Sequence, residues 1–163
     1  MADSFIHLHN RSAYSFGSAL TRPRQLAEFA AAHGMPAIAL TDRDGLYAAV
    51  QFQQACERVS VKPIFGAELS PAEGASVTLL AESLAGYGNL CRLITRLHLG
   101  EKPLTWNDLC EHAGDLICLL GGGVESLSGA KQGGAKQGGV RLREAPRRVR
   151  RTPVRGTRHP RLR

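Results

Sequence analysis

The chain has 163 residues, 43% of them hydrophobic, enough for one ordinary domain with a real core and too few for two. Its formal charge of +7 is unevenly placed: residues 1–123 carry 9 Lys and Arg against 12 Asp and Glu, a balance of −3, and residues 124–163 carry 12 against 2, a balance of +10. Basicity therefore belongs to the end of the chain, and no apolar run approaches the ~20 residues of a membrane span.

The segment SFIHLH alternates and stops at Asn10, which predicts a short first strand. After a loop, Thr21 is placed to cap a helix whose first turn accommodates Pro23. That helix reads RPRQLAEFAAAH, with Leu26, Phe29 and Ala30 on one face and Gly34 as its stop. MPAIALT is a continuous apolar run of the kind that fills a parallel sheet. Gly45 opens a second helical pattern, with Leu46, Ala49 and Val50 on one stripe, ending near Val59. KPIFGAEL and SVTLLAE follow as strands. AGYGNLCRLITRLHL is helical in period through Leu90, Leu93, Ile94 and Leu97. Thr105-Trp106-Asn107-Asp108 has the form of a capping box opening a short helix to about His112. DLICLL is the fifth strand. Strands alternating with helices at these lengths imply an α/β fold with a mainly parallel sheet.

After Leu120 the character changes. GGG and VESLS precede the direct repeat GAKQGGAKQGG, then ten arginines fall between Val140 and Arg163, and Phe, Tyr, Trp and Ile are absent from 124 onward. Such a composition does not offset the entropy of ordering, so disorder is expected. Cys56, Cys91, Cys110 and Cys118 have neither redox-pair nor zinc-ribbon spacing and are read as buried thiols in a reducing compartment. MADSFIHLHN carries an acid at position 3 and only two apolar residues before it, unlike a secretory leader. A cytoplasmic protein without a membrane partner is the expectation.

Three stretches, in order, resemble the opening of the PHP domain (the polymerase and histidinol phosphatase domain) that begins bacterial DNA polymerase III alpha subunits. FIHLHNRSAYSF is similar to the family's first strand and loop. LAEFAAAHGMPAIALTDRDGLYAAVQFQQAC is similar to its helix, its strand ending in Thr-Asp-His, and the next helix. KPIFGAEL with TLLAESLAGYGNLCRLITRLHL resembles the Gly-x-Glu strand and the GYxNLxRL run typical of the polymerase members. Phe16 and Pro23 lean toward the error-prone branch. The resemblance implies a partial, distorted β/α barrel over residues 1–123, about the first half of a complete domain, followed by a low-complexity segment at 124–163. An interrupted barrel leaves a sheet edge uncovered, so self-association is expected.

In active family members, His, Asp, Glu and Cys at the carboxyl ends of barrel strands hold divalent metals that activate water against a phosphoester. That chemistry needs several imidazoles and carboxylates converging on one point. Carried over position by position, the first ligand pair falls on His9 and Arg11, and the acid two residues on is Ala13. The histidine after Thr41 and Asp42 is Arg43, the strand glutamate is Glu68, the histidine ahead of Leu-Leu-Ala is Ser76, and the late cysteine is Gly122. Only His9 and Glu68 keep ligand chemistry. His7 and His9 form a literal His-x-His, read either as a metal pair displaced by one pleat or as the additional histidine many members carry before the ligand pair. The vestigial set is thus His7, His9 and Glu68, and no cofactor is expected; zinc or manganese enters only if the site is residually active. Arg11 and Arg43 are expected to fill the vacated volume and pair with Asp42, Asp44 or Glu68, with a solvent-pointing Arg43 as the alternative.

Three functions compete. The first is a catalytically silent PHP fragment, whose full-length parent serves DNA replication or error-prone repair synthesis with DNA and replication subunits as partners. The polymerase active site would lie outside this chain. The second is a residual metal-dependent phosphoesterase using His7, His9 and Glu68. The third is a nucleic-acid-binding protein acting through its arginine-rich arm. Against the third, residues 124–163 have the Arg, Gly, Pro and Ala excess of a GC-rich gene read out of frame, which favours a frameshifted or truncated gene.

Overall fold

The computed structural model describes residues 5–71 and 76–119. In chain order these form α1 (Pro23–Ala32), β1 (Ala37–Arg43), α2 (Ala49–Arg58), β2 (Lys62–Leu69), β3 (Val77–Ala81), α3 (Leu84–Leu99), α4 (Trp106–Glu111) and β4 (Leu116–Leu119). The sheet order is β1-β2-β3-β4. No described helix is long and apolar enough to cross a membrane.

The α/β class holds, but the expectation of mainly parallel strands holds only for β1 and β2; β2–β3 and β3–β4 are antiparallel. The seven residues between Leu69 and Val77 are too few for a parallel crossover, which needs a dozen or more. The expected first strand is also absent. Residues 5–10 run beside β1, with Ala39 N donating to the His7 carbonyl at 2.9 Å and Thr41 N to the Asn10 carbonyl at 2.8 Å. Three residues of the segment thus face two of β1, so the pleats fall out of step. Side chains take over the ladder: Asn10 Nδ2 donates to the Ala39 carbonyl at 2.9 Å, and the Thr41 hydroxyl accepts from Asn10 N at 3.0 Å.

Local chemistry explains most boundaries. Pro23 occupies the first helical position, and the residue before a proline is driven out of the helical region. Arg22 is accordingly the extended cap (φ −75°, ψ 150°), not Thr21, and its N–H is taken by Gln25 Oε1 at 2.8 Å. Gly34 (φ 64°) closes α1, with Met35 N bonded to the Ala30 carbonyl and Gly34 N to the Ala31 carbonyl, the paired bonds of a Schellman ending. The second helix begins at Ala49, four residues later than its pattern suggested. Its buried stripe is Ala49, Phe52, Ala55 and Cys56, while Val50 is exposed. Ser83 caps α3 by accepting from Gly86 N at 3.2 Å. The capping box of α4 forms: Asp108 Oδ2 accepts from Thr105 N at 2.8 Å, and Thr105 Oγ1 accepts from Asp108 N at 3.4 Å. Arg96 Nε pairs with Asp108 Oδ1 at 2.7 Å and ties α3 to α4.

Two apolar clusters hold these elements. One joins Ala27 and Ala30 to Ile38, Leu40, Phe52 and Cys56; the other joins Ala67, Leu69, Val77 and Leu79 to Leu90, Leu93, Leu104 and Leu109. Burying Phe52 alone is worth about 3 kcal/mol. Phe65 bridges them, its ring edge-on to Phe52 at 6.2 Å and to Tyr87 at 5.9 Å. Register places Ile38, Leu40, Phe65, Ala67 and Leu69 on this helix-covered face. Ala39, Thr41 and Arg43 with Ile64, Gly66 and Glu68 lie on the other. There a Cβ on Gly66 would fall on the Leu79 carbonyl and the Leu80 side chain, so only glycine lets β2 and β3 lie this close.

Candidate functional site

Parallel pairing in register puts Arg43 beside Glu68 at the carboxyl ends of β1 and β2. The segment before α1 crosses the same end of the sheet and delivers His9 and Arg11. Arg11 holds Glu68 in a fork: Nε donates to Oε2 at 2.9 Å, and Nη2 donates to Oε1 at 2.7 Å and Oε2 at 2.6 Å. His9 Nε2 adds a bond to Oε2 at 2.9 Å. The Glu68 side chain is only 6% exposed, with Arg11 at 32% and His9 at 50%. Burial alone would lift the Glu68 carboxyl, but the Arg11 and His9 hydrogen bonds and the nearby charge outweigh it and hold it below the usual value.

The remaining predicted residues do not join this pair. The His7 ring lies edge-on to Phe5 at 4.8 Å and 6.1 Å from the Phe29 ring. It therefore does not share a site with His9. The equal-face expectation assumed a regular strand, and the slipped segment is not one. Asp42 is buried among hydroxyls: Oδ1 accepts from Ser12 N at 2.6 Å and Ser15 Oγ at 2.7 Å, and Oδ2 from Ser12 Oγ at 2.7 Å. Asp44, in the left-handed region at φ 51°, accepts from Ser70 N at 3.0 Å through Oδ1, and its own carbonyl accepts from His98 Nε2 at 2.6 Å. Arg43 donates its backbone N–H to Ser15 Oγ at 2.9 Å; its side chain is exposed and forms no ion pair among the described residues. Neither Asp42 nor Asp44 pairs with an arginine, so the five-residue ion-pair cluster reduces to Arg11 and Glu68 with His9. Asp42 lies on the helix-covered face, and Ser70 N and the two serines already serve the carboxylates. Ser76 immediately precedes β3, and Gly122 and the whole 124–163 segment lie outside the described residues.

Sequence reasoning missed Ser12, Ser15 and Asn10 as the residues that seat the first loop. Their signal was present as short polar side chains spaced through residues 10–15 beside a strand, a pattern suited to local backbone substitution. His33 and His112 stand at the ends of α1 and α4, each bonding a carbonyl of the last turn, at 2.8 and 3.0 Å. Of the four cysteines read as buried thiols, Cys56 is buried, whereas Cys91 and Cys118 are half-buried and Cys110 is exposed.

A metal at this point would need Glu68 oxygens that Arg11 and His9 already occupy. Among the described residues no three His, Cys, Asp or Glu side chains converge as a ligand set. The residues present do not fit a divalent cation.

The sequence profile of the PHP domain matches residues 7–144. The chain is 48% identical over 100 residues to an error-prone DNA polymerase of Symbiobacterium thermophilum, covering 61% of this chain and 9% of that protein. It is 35% identical over 135 residues to the DNA polymerase III subunit alpha of Buchnera aphidicola, covering 79% of this chain and 12% of that one. The chain thus spans about a tenth of the length of these curated relatives. An amidohydrolase structure from Chromobacterium violaceum aligns with a TM-score of 0.48 at 26% identity, covering 58% of this chain and 34% of that one.

Proposed function

Because the chain belongs to the PHP domain family, we propose that it is the opening part of a polymerase-type PHP domain whose metal site has become a protein ion pair. It serves as a scaffold and not as a phosphoesterase. The Arg11 fork on Glu68 carries this reading: a fixed guanidinium supplies the positive charge that a divalent ion otherwise brings to a buried carboxylate. The similarity to error-prone polymerases and to a polymerase III alpha subunit supports a parent protein that works in DNA synthesis. Its partners would be DNA and replication subunits, and its compartment the cytoplasm. The division at residue 123 belongs to the same proposal; the change in composition supports it, while the family match runs on to residue 144.

Metal analysis of the purified chain, with hydrolysis of p-nitrophenyl phosphate, tests the site reading. The expected result is substoichiometric zinc and manganese and no turnover that depends on His9. Arg11→His, which frees Glu68 and restores an imidazole, should raise zinc retention above that of the parent. Stoichiometric metal in the parent, with turnover lost in His9→Ala, would establish the phosphoesterase reading instead.

A further inference from the structure

A second site lies on the other side of the loop that Asp42 anchors. Ser12 and Ser15 turn inward to the Asp42 carboxylate; of the residues between and after them, Ala13 and Tyr14 are half-buried, Tyr14 against the first apolar cluster, and Phe16 is exposed. These three form one wall of an open cavity of about 510 Å3, flanked by the start of α1 and by α2. Arg22, Arg24 and Arg58 line it, with Gln51 and Gln54, and no acidic residue does. This clustering is not a reflection of overall charge. The described residues carry nine Lys and Arg against ten Asp and Glu, yet three of the nine face this one concavity. Arg24 is held by Glu28 at 2.7 Å, whereas Arg22 and Arg58 are exposed and make no ion pair among the described residues. The Phe16 ring is 85% exposed, an apolar area left in water beside two uncompensated cations.

Guanidinium groups bind phosphate through paired, charge-assisted hydrogen bonds, and an exposed aromatic ring offers a base a stacking surface regardless of sequence. The cavity has the size of a small-molecule site, within the usual ~300–1,000 Å3. We propose that this cavity binds a nucleotide unit of single-stranded DNA, with its phosphate on Arg22 and Arg58 and its base on Phe16 beside Tyr14. The site is separate from the Arg11–Glu68 pair; the choice of DNA as the polymer rests on the proposed polymerase parentage. Rigidity of the wall comes from the Asp42 clamp, which fixes where Phe16 stands.

The test uses the full chain and a probe that reads the cavity and not the arginine-rich segment. Phe16→Trp places a fluorophore in the wall, and the parent protein, with Trp106 alone, supplies the background. A short oligothymidylate should quench the added emission, and inorganic phosphate should not. Adding Arg22→Glu and Arg58→Glu to this variant should weaken the quenching roughly ten-fold or more. Arg92→Glu, on α3 and outside the cavity, should leave it unchanged; unaltered thermal unfolding of each variant controls for folding. Absence of quenching, quenching that survives the double reversal, or equal quenching by inorganic phosphate would each overturn the proposal.

Discussion

Arg11 and Glu68, 57 positions apart, meet through three hydrogen bonds of 2.6 to 2.9 Å at the carboxyl end of the sheet. The contact closes the segment before α1 onto β2, so it is a tertiary clasp as well as a charge pair.

Removing the guanidinium leaves a nearly buried carboxylate with His9 as its remaining side-chain partner. Breaking a fully buried pair costs about 3–5 kcal/mol; with Arg11 one-third exposed, Arg11→Ala should cost about 2 kcal/mol. Urea denaturation measures it. A loss below about 0.5 kcal/mol, typical of a surface pair, would mean that the clasp does not hold the segment.

Glu68 sets a pH dependence of definite sign. Its folded value is lowered, so its pairing stabilises the fold above the unfolded carboxylate value of about 4.3 and is lost as pH falls through the folded value. Asp108 acts in the same direction: burial would raise it, but Thr105 and Arg96 hold it down. The stability gap between the parent and Glu68→Gln should therefore be level near neutrality and shrink below about pH 4. Denaturation curves across that range check this, and a gap that widened on acidification would reverse the sign.

The thiols should separate by reactivity. Cys56 is wholly buried and its thiol is pushed up to about 11, chiefly by burial; Cys118 is raised for the same first reason. Cys110 is exposed. Titration of the native protein with an aromatic disulfide reagent should show Cys110 reacting first and Cys56 only on unfolding. Cys110→Ser should remove the fast phase.

Ser60 occupies the position after α2 that Gly34 occupies after α1. Its φ is 57°, with Val61 N bonded to the Cys56 carbonyl at 3.0 Å. A Cβ is unfavourable there, so Ser60→Gly should stabilise the chain by about 0.5–1 kcal/mol, and Gly34→Ala should lose about 1 kcal/mol. Paired thermal or chemical melts read both changes.

How much of this was legible in the residues differs by element. The leucine spacing of α3 and the Thr105–Asp108 capping box depend on neighbours within one or two turns, and both were read correctly. Thr21 is not the cap, because Pro23 drives Arg22 out of the helical region and makes it the boundary residue. The site was legible only in part. Arg11 and Arg43 both stood at former ligand positions, and nothing local distinguished the one that pairs from the one that faces solvent.

The sequence by itself determined the family, the α/β class, three of the helices nearly to their ends, and the survival of His9 and Glu68 among substituted ligand positions. These follow from residue type and short-range periodicity. Only the tertiary structure decided that β2 and β3 run antiparallel, that residues 5–10 slip out of register with β1, and that Arg11 and not Arg43 closes on Glu68. Strand direction depends on connection length and register on side chains from distant segments, such as Asn10 and Thr41. Which arginine reaches Glu68 was likewise a tertiary matter: Arg43 shares its face and register, yet the segment before α1 delivers Arg11 to the carboxylate.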